Sequence, residues 1–69
     1  MINLKRTEPG TLVRVDSPYE DYVLIAEFRG IADRRALCSD GKERRFFPTA
    51  WIHEMVDPNY KIGDKIPKR

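Results

Sequence analysis

From Tyr22 to Arg29 the chain alternates in a way that leaves few folds open to it. Tyr22, Leu24, Ala26 and Phe28 form one wholly apolar set, and Val23, Ile25, Glu27 and Arg29 form a mixed one. Side chains on a strand point to opposite faces in turn, so the first set predicts a core-facing surface. A helix is the competing pattern, but the β-branched and aromatic content and the bounding Gly30 favour a strand. A strand cannot satisfy its own backbone groups, so this segment demands partners.

Candidate partners lie on both sides. Pro9-Gly10 reads as a turn, and Thr11 to Asp16 follows as a short strand with Val13 and Val15 on one face. Ser17-Pro18-Tyr19-Glu20-Asp21 is a loop. Asp40-Gly41, between Arg35–Ser39 and Lys42–Phe47, suits a two-residue type I′ hairpin turn. That turn would set Ser39 opposite Lys42, Leu37 opposite Arg44 and Arg35 opposite Phe46. The other face would carry Cys38 with Glu43, Ala36 with Arg45 and Arg34 with Phe47. Neither face is cleanly apolar, which predicts a twisted hairpin with its tip in water, or a bulge near the two phenylalanines. Pro48 ends the strand because it cannot donate to a ladder. Thr49-Ala50-Trp51 has the length of one 3₁₀ turn, and Ile52 to Val56 supplies a last strand. Beyond Asp57, Pro58, Gly63 and Pro67 interrupt every pattern. The expected division is therefore a β domain over 1–57 and a basic, extended or flexible tail over 58–69.

A chain of 69 residues holds one domain with a small core. Net stability of roughly 3–5 kcal/mol is expected for a core of that size. Cys38 is the only cysteine and His53 the only histidine, so there is no internal disulfide and there are at most two soft metal ligands. Neither a metal nor a cofactor is expected, and the composition suits a reducing compartment. Met1 to Arg6 lacks the apolar run of a signal peptide, and no stretch has the length of a membrane span. The expectation is a cytoplasmic monomer without a membrane partner. Thirteen basic against eleven acidic side chains leave a net charge of +2, below that of a dedicated nucleic-acid binder.

The stretch Phe47-Pro48-Thr49-Ala50-Trp51-Ile52 resembles the closing segment of SH3 domains, where an apolar residue and proline lead through a 3₁₀ turn to an aromatic and a β-branched residue. The Asp40-Gly41 hairpin sits where those domains have their distal hairpin. The resemblance implies a five-stranded SH3-like barrel, with Phe47 and Ile52 in its core and Pro48 and Trp51 on an exposed groove. It covers about a quarter of the chain. No Ala-Leu-Tyr-Asp-Tyr-like segment accompanies it, and Asp33-Arg34-Arg35 stands where such domains carry a tryptophan. A polyproline groove needs several aromatic walls. Only Trp51, Tyr19 and Tyr22 are candidates for them, so the resemblance bears on fold more than on ligand.

Two sets of binding residues follow. For a protein partner, expected within the transcription or translation machinery, they are Trp51, Pro48, Tyr19, Arg34, Arg35, Arg44 and Arg45. Tryptophan and arginine are over-represented among interface hot spots. For a nucleic acid, the alternative partner, they are Arg34, Arg35, Lys42, Arg44 and Arg45, with Lys65, Lys68 and Arg69 from the tail. Guanidinium forks suit phosphate, and Phe46 could stack on a base, while Asp33, Asp40 and Glu43 interleave the cluster. Cys38 and His53 have no third orienting group, so no catalysis is expected. Cys38 is read as core filler and His53 as exposed. An enzyme of this size would need to oligomerise to build a site.

Overall fold

The alternation over residues 22–32 becomes the longest strand and the centre of the sheet. The computed structural model describes residues 3–55 and 59–68. Its strands are β1 (Leu12–Val15), β2 (Tyr22–Ala32), β3 (Arg35–Ser39), β4 (Arg44–Pro48), β5 (Ile52–Glu54) and β6 (Lys65–Pro67). Short 3₁₀ turns span Leu4–Arg6 and Thr49–Trp51. All pairings are antiparallel, in the order β4-β3-β2-β1-β5, with β6 added on β2. The protein is thus an all-β antiparallel domain. Its end strands β4 and β5 are joined by the second 3₁₀ turn but are not paired, so the sheet is open rather than the closed barrel expected. No helix among the described residues is long and apolar enough to cross a membrane.

The core lies where the alternation places it. Leu24, Ala26 and Phe28 of β2 are buried with Val13 and Val15 of β1, Ala36 and Cys38 of β3, Ile52 of β5 and Leu4 of the first 3₁₀ turn. The register explains the set: Val13 pairs with Ala26, and Val15 with both Leu24 and Ile52. Tyr22, Phe47 and Trp51 are half-buried and pack against this cluster. Asn3 caps the first 3₁₀ turn by accepting from the Lys5 amide at 3.1 Å, which holds Leu4 inward.

Gly30 does not bound β2 as expected; the strand runs through it to Ala32. Between Phe28, opposite Cys38, and Gly30, opposite Leu37, Arg29 is an extra residue, a β-bulge. The bulge inverts the alternation, so Ile31 falls opposite Ala36 on the inner side. A bulge therefore exists, but in β2 rather than beside the two phenylalanines.

The hairpin turns also differ from the expected ones. The two-residue turn is Asp33-Arg34, between β2 and β3, with φ of 52° and 62°. Positive φ at both positions is what a type I′ turn requires, and an arginine held there costs about 1–2 kcal/mol. Asp40-Gly41 instead opens a four-residue loop over 40–43, because the Asp40 carboxylate accepts from the amides of Lys42 and Glu43, each at 2.9 Å. Those hydrogen bonds hold its carboxyl below the usual carboxylate range. The β3–β4 register consequently slips by two residues from the expected one: Ser39 faces Arg44, Leu37 faces Phe46 and Ala36 faces Phe47. A slip of two leaves every side chain on its expected face but sets Leu37 against Phe46 and Ala36 against Phe47, while Arg45 falls opposite Cys38. Each face of β4 therefore still carries one arginine and one phenylalanine.

The described part of the C-terminal segment, residues 59–68, runs along the sheet. β6 pairs Ile66 with Val23, the Gly63 amide donates to the Ile25 carbonyl at 2.7 Å, and the Ile25 amide to the Asp64 carbonyl at 2.8 Å. Ile25, on the mixed face of β2, is fully buried as a result. Lys68 ties down the end of the segment: its Nζ lies 2.7 Å from the Asp16 carboxylate and donates to the Ser17 carbonyl at 2.7 Å. The hydrogen bond from Lys68 holds the Asp16 carboxyl below its usual range. A lowered carboxylate pKa contributes stability above the unfolded value and loses it as pH falls through the folded one. Wild type is accordingly expected to exceed Lys68→Met in urea midpoint near neutrality. The gap should narrow below about pH 4 and correspond to no more than about 1 kcal/mol, because both groups are partly exposed. A gap independent of pH would show that the ion pair contributes nothing.

Candidate functional site

The loop between β1 and β2 is anchored at both ends. The Asp16 amide donates to the Trp51 carbonyl at 2.8 Å, and the Lys68 amide to the Asp21 carbonyl at 3.0 Å. Within it, the Ser17 hydroxyl accepts from the Tyr19 amide at 3.2 Å. These bonds carry Tyr19 over Trp51, edge-on, with ring centroids 6.0 Å apart. Phe47, at the end of β4, is tilted against the other side of Trp51 at 6.4 Å. The Arg45 guanidinium lies over the Phe47 ring, 5.2 Å from its centroid, and its Nε is 3.7 Å from the Glu43 carboxylate.

Together these groups wall a groove of about 180 Å³, with Val15 and Leu24 also lining it and Glu20 at its rim. Tyr19 is 84% exposed, an unusual state for a ring held by neighbours on a loop anchored at both ends. Trp51 and Phe47 do two jobs at once, packing against the core and lining the groove. The same is true of Tyr22; Phe47, expected in the core alone, is the fourth aromatic wall. Lys65 of β6 sits over the Tyr22 ring, 5.0 Å from its centroid.

The expected binding residues divide. Trp51, Tyr19 and Arg45 meet in the groove; Pro48 is exposed but does not line it. Arg35 and Arg44 sit on the opposite face of the β3–β4 hairpin, Arg34 in the β2–β3 turn and Lys42 in the β3–β4 loop. The basic cluster is therefore spread over both faces and both ends of the hairpin. Of the tail cations, Lys68 is paired with Asp16, Lys65 covers Tyr22, and Arg69 lies outside the described residues.

Cys38 is buried, as expected of core filler, whereas His53, expected to be exposed, is half-buried. Cys38 is 1% exposed and its thiol is pushed up to about 11 by burial. His53 is half-buried on β5, opposite Arg14, and lines a shallow hollow with Leu4 and Ile31. Among the described residues no group of three or more histidine, cysteine or acidic side chains is placed to hold a metal ion. Comparison with protein families, with curated proteins and with solved structures found no match.

Proposed function

We propose that this chain is a non-catalytic binding module of SH3-like build that docks an extended segment of a protein partner in its aromatic groove, as an adaptor within a larger assembly such as the transcription or translation machinery. The observation that carries this reading is the meeting of Tyr19, Tyr22, Phe47 and Trp51 around one groove. Rings held by loop anchors and by the core lose little freedom on binding, which favours affinity. The strand order and the 3₁₀ turn between β4 and β5 support the SH3-like build, with β6 as an addition to it. Arg45 at one wall and Glu20 at the rim add charge recognition to apolar contact.

Affinity capture with wild type, followed by an amide-resolved NMR titration with the captured protein, tests the reading. Expected are shifts at Tyr19, Phe47 and Trp51, and a loss of about 30-fold or more in affinity for Trp51→Ala. Tyr19→Ala removes an exposed ring without touching the core, so a parallel loss there excludes unfolding as the cause. A partner held equally by both variants, with shifts away from the groove, would overturn the reading.

A further inference from the structure

The run Arg44-Arg45-Phe46-Phe47 is two arginine–phenylalanine pairs interleaved at period two. Arg45 and Phe47 point to the groove; Arg44 and Phe46 point to the other side of β4. The geometry points to this other side as a second, separate site: a stacking platform for single-stranded nucleic acid.

The platform is a row across three strands. Gly30, Leu37 and Phe46 are register partners in turn, so they share one face. Nothing lies within 4 Å of the place a Cβ on Gly30 would take, which leaves the face beside Leu37 open. The C-terminal segment covers the Ile25 end of the sheet and leaves Phe46 52% exposed. Arg44 follows on the same face two residues before Phe46, and Arg35 lies opposite Pro48, two residues after it. The two guanidinium-bearing positions are thus separated by about 13 Å along the strands, with the ring between them.

Charge decides the occupant. Among the described residues Arg34, Arg35, Lys42 and Arg44 form no ion pair. The acids that interleave them in sequence are mostly engaged elsewhere. The Asp40 carboxylate is turned into its own loop, Glu43 is paired with Arg45, and Glu27 on the neighbouring strand is paired with Arg29 at 2.8 Å. That leaves Arg44 and Arg35 on the face of the exposed ring without a carboxylate partner, with Arg34 and Lys42 at the two ends of the hairpin, against the charges of Asp33 and Asp40. Phosphates suit the cations, and an unpaired base suits the ring, whereas a duplex keeps its bases stacked on each other.

The test uses the full chain, with fluorescent oligothymidylate and oligouridylate of about 12 nucleotides and a mixed duplex of similar length. Anisotropy is read at about 50 and about 200 mM salt. Expected is single-strand binding that weakens with salt, with amide shifts at Leu37, Arg44 and Phe46. Phe46→Ala should weaken it roughly 5- to 150-fold, the cost of one lost base stack. Arg44→Gln should flatten the salt slope, while Lys5→Gln, an equal loss of charge on the first 3₁₀ turn, should not. Phe46 is half in water, so circular dichroism of Phe46→Ala should match wild type. Absence of binding at the lower salt, a duplex held as tightly as the single strands, or an unchanged affinity for Phe46→Ala would each overturn the platform. So would shifts confined to Tyr19, Arg45 and Trp51. The groove and the platform share no residue, so either assignment can fail without the other.

Discussion

A chain ending at residue 58 is expected to be largely unfolded in water. Removing the last segment uncovers Ile25, which is fully buried, and the half-buried Val23. Exposing a side chain of that size costs about 2 kcal/mol. The two backbone bonds joining Ile25 to Gly63 and Asp64 go with it, at about 1 kcal/mol each. The sum is close to the whole stability expected of a domain this small, roughly 3–5 kcal/mol. Proton–nitrogen spectra of the truncated chain should collapse to the narrow dispersion of a denatured protein. Ile25→Ala in the full chain gives the graded version, a lower urea midpoint equivalent to about 2–4 kcal/mol. A truncated chain that unfolds at the wild-type midpoint would mean that β6 merely rests on a sheet complete without it.

Cys38 should react with iodoacetamide at least about 100-fold more slowly in the folded protein than in denaturant. Two barriers combine there. The thiolate is the nucleophile, and burial moves the thiol from its ordinary 9.0 to about 11, which lowers the thiolate fraction near neutrality about 100-fold. Cys38 is also only 1% exposed, on β3 between β2 and β4, so the reagent needs an opening of the sheet to approach it. The sign on stability is the reverse of that for a carboxylate held low. Here the folded pKa lies above the unfolded one, so stability is intact below about pH 9 and falls as pH rises toward 11. Folded and unfolded rates within tenfold of each other would contradict the sealed core.

The two proposed sites together would make this domain an adaptor between a protein and a nucleic acid, built on a single strand. The alternation of β4 sends one arginine–phenylalanine pair to each side, so a shift of its register by one residue would exchange the two sites. The slip observed is two residues, which preserves both.

Local pattern determined much of this fold. Period-two alternation placed Leu24, Ala26 and Phe28 inward, and Val13 and Val15 beside them, because burying one face of a strand is a local property of its sequence. Proline chemistry located the end of β4 and the 3₁₀ turn at Thr49–Trp51 for the same reason. The Phe47–Ile52 stretch foretold the buried Ile52. Turn types were legible only in part. Asp40-Gly41 marked the β3–β4 hairpin but not its loop length, which the side-chain hydrogen bonds of Asp40 set, and Asp33-Arg34 carried no turn signal for the β2–β3 hairpin.

What only the tertiary structure decided were relations between distant residues. Ile66 carries no local sign that it will lie against Val23, and the Lys68 latch joins residues 52 positions apart. Lysine-rich composition with scattered proline and glycine reads as a solvated tail, yet residues 63–68 of it bond to β2 and to the β1–β2 loop. The groove was hidden in the same way, since Tyr19, Phe47 and Trp51 come from three elements. Their meeting depends on how the β1–β2 loop is tied at both its ends, to Trp51 and to Lys68. Alternation assigns a side chain to a face; which element covers that face is set by long-range pairing, which no short stretch of sequence encodes.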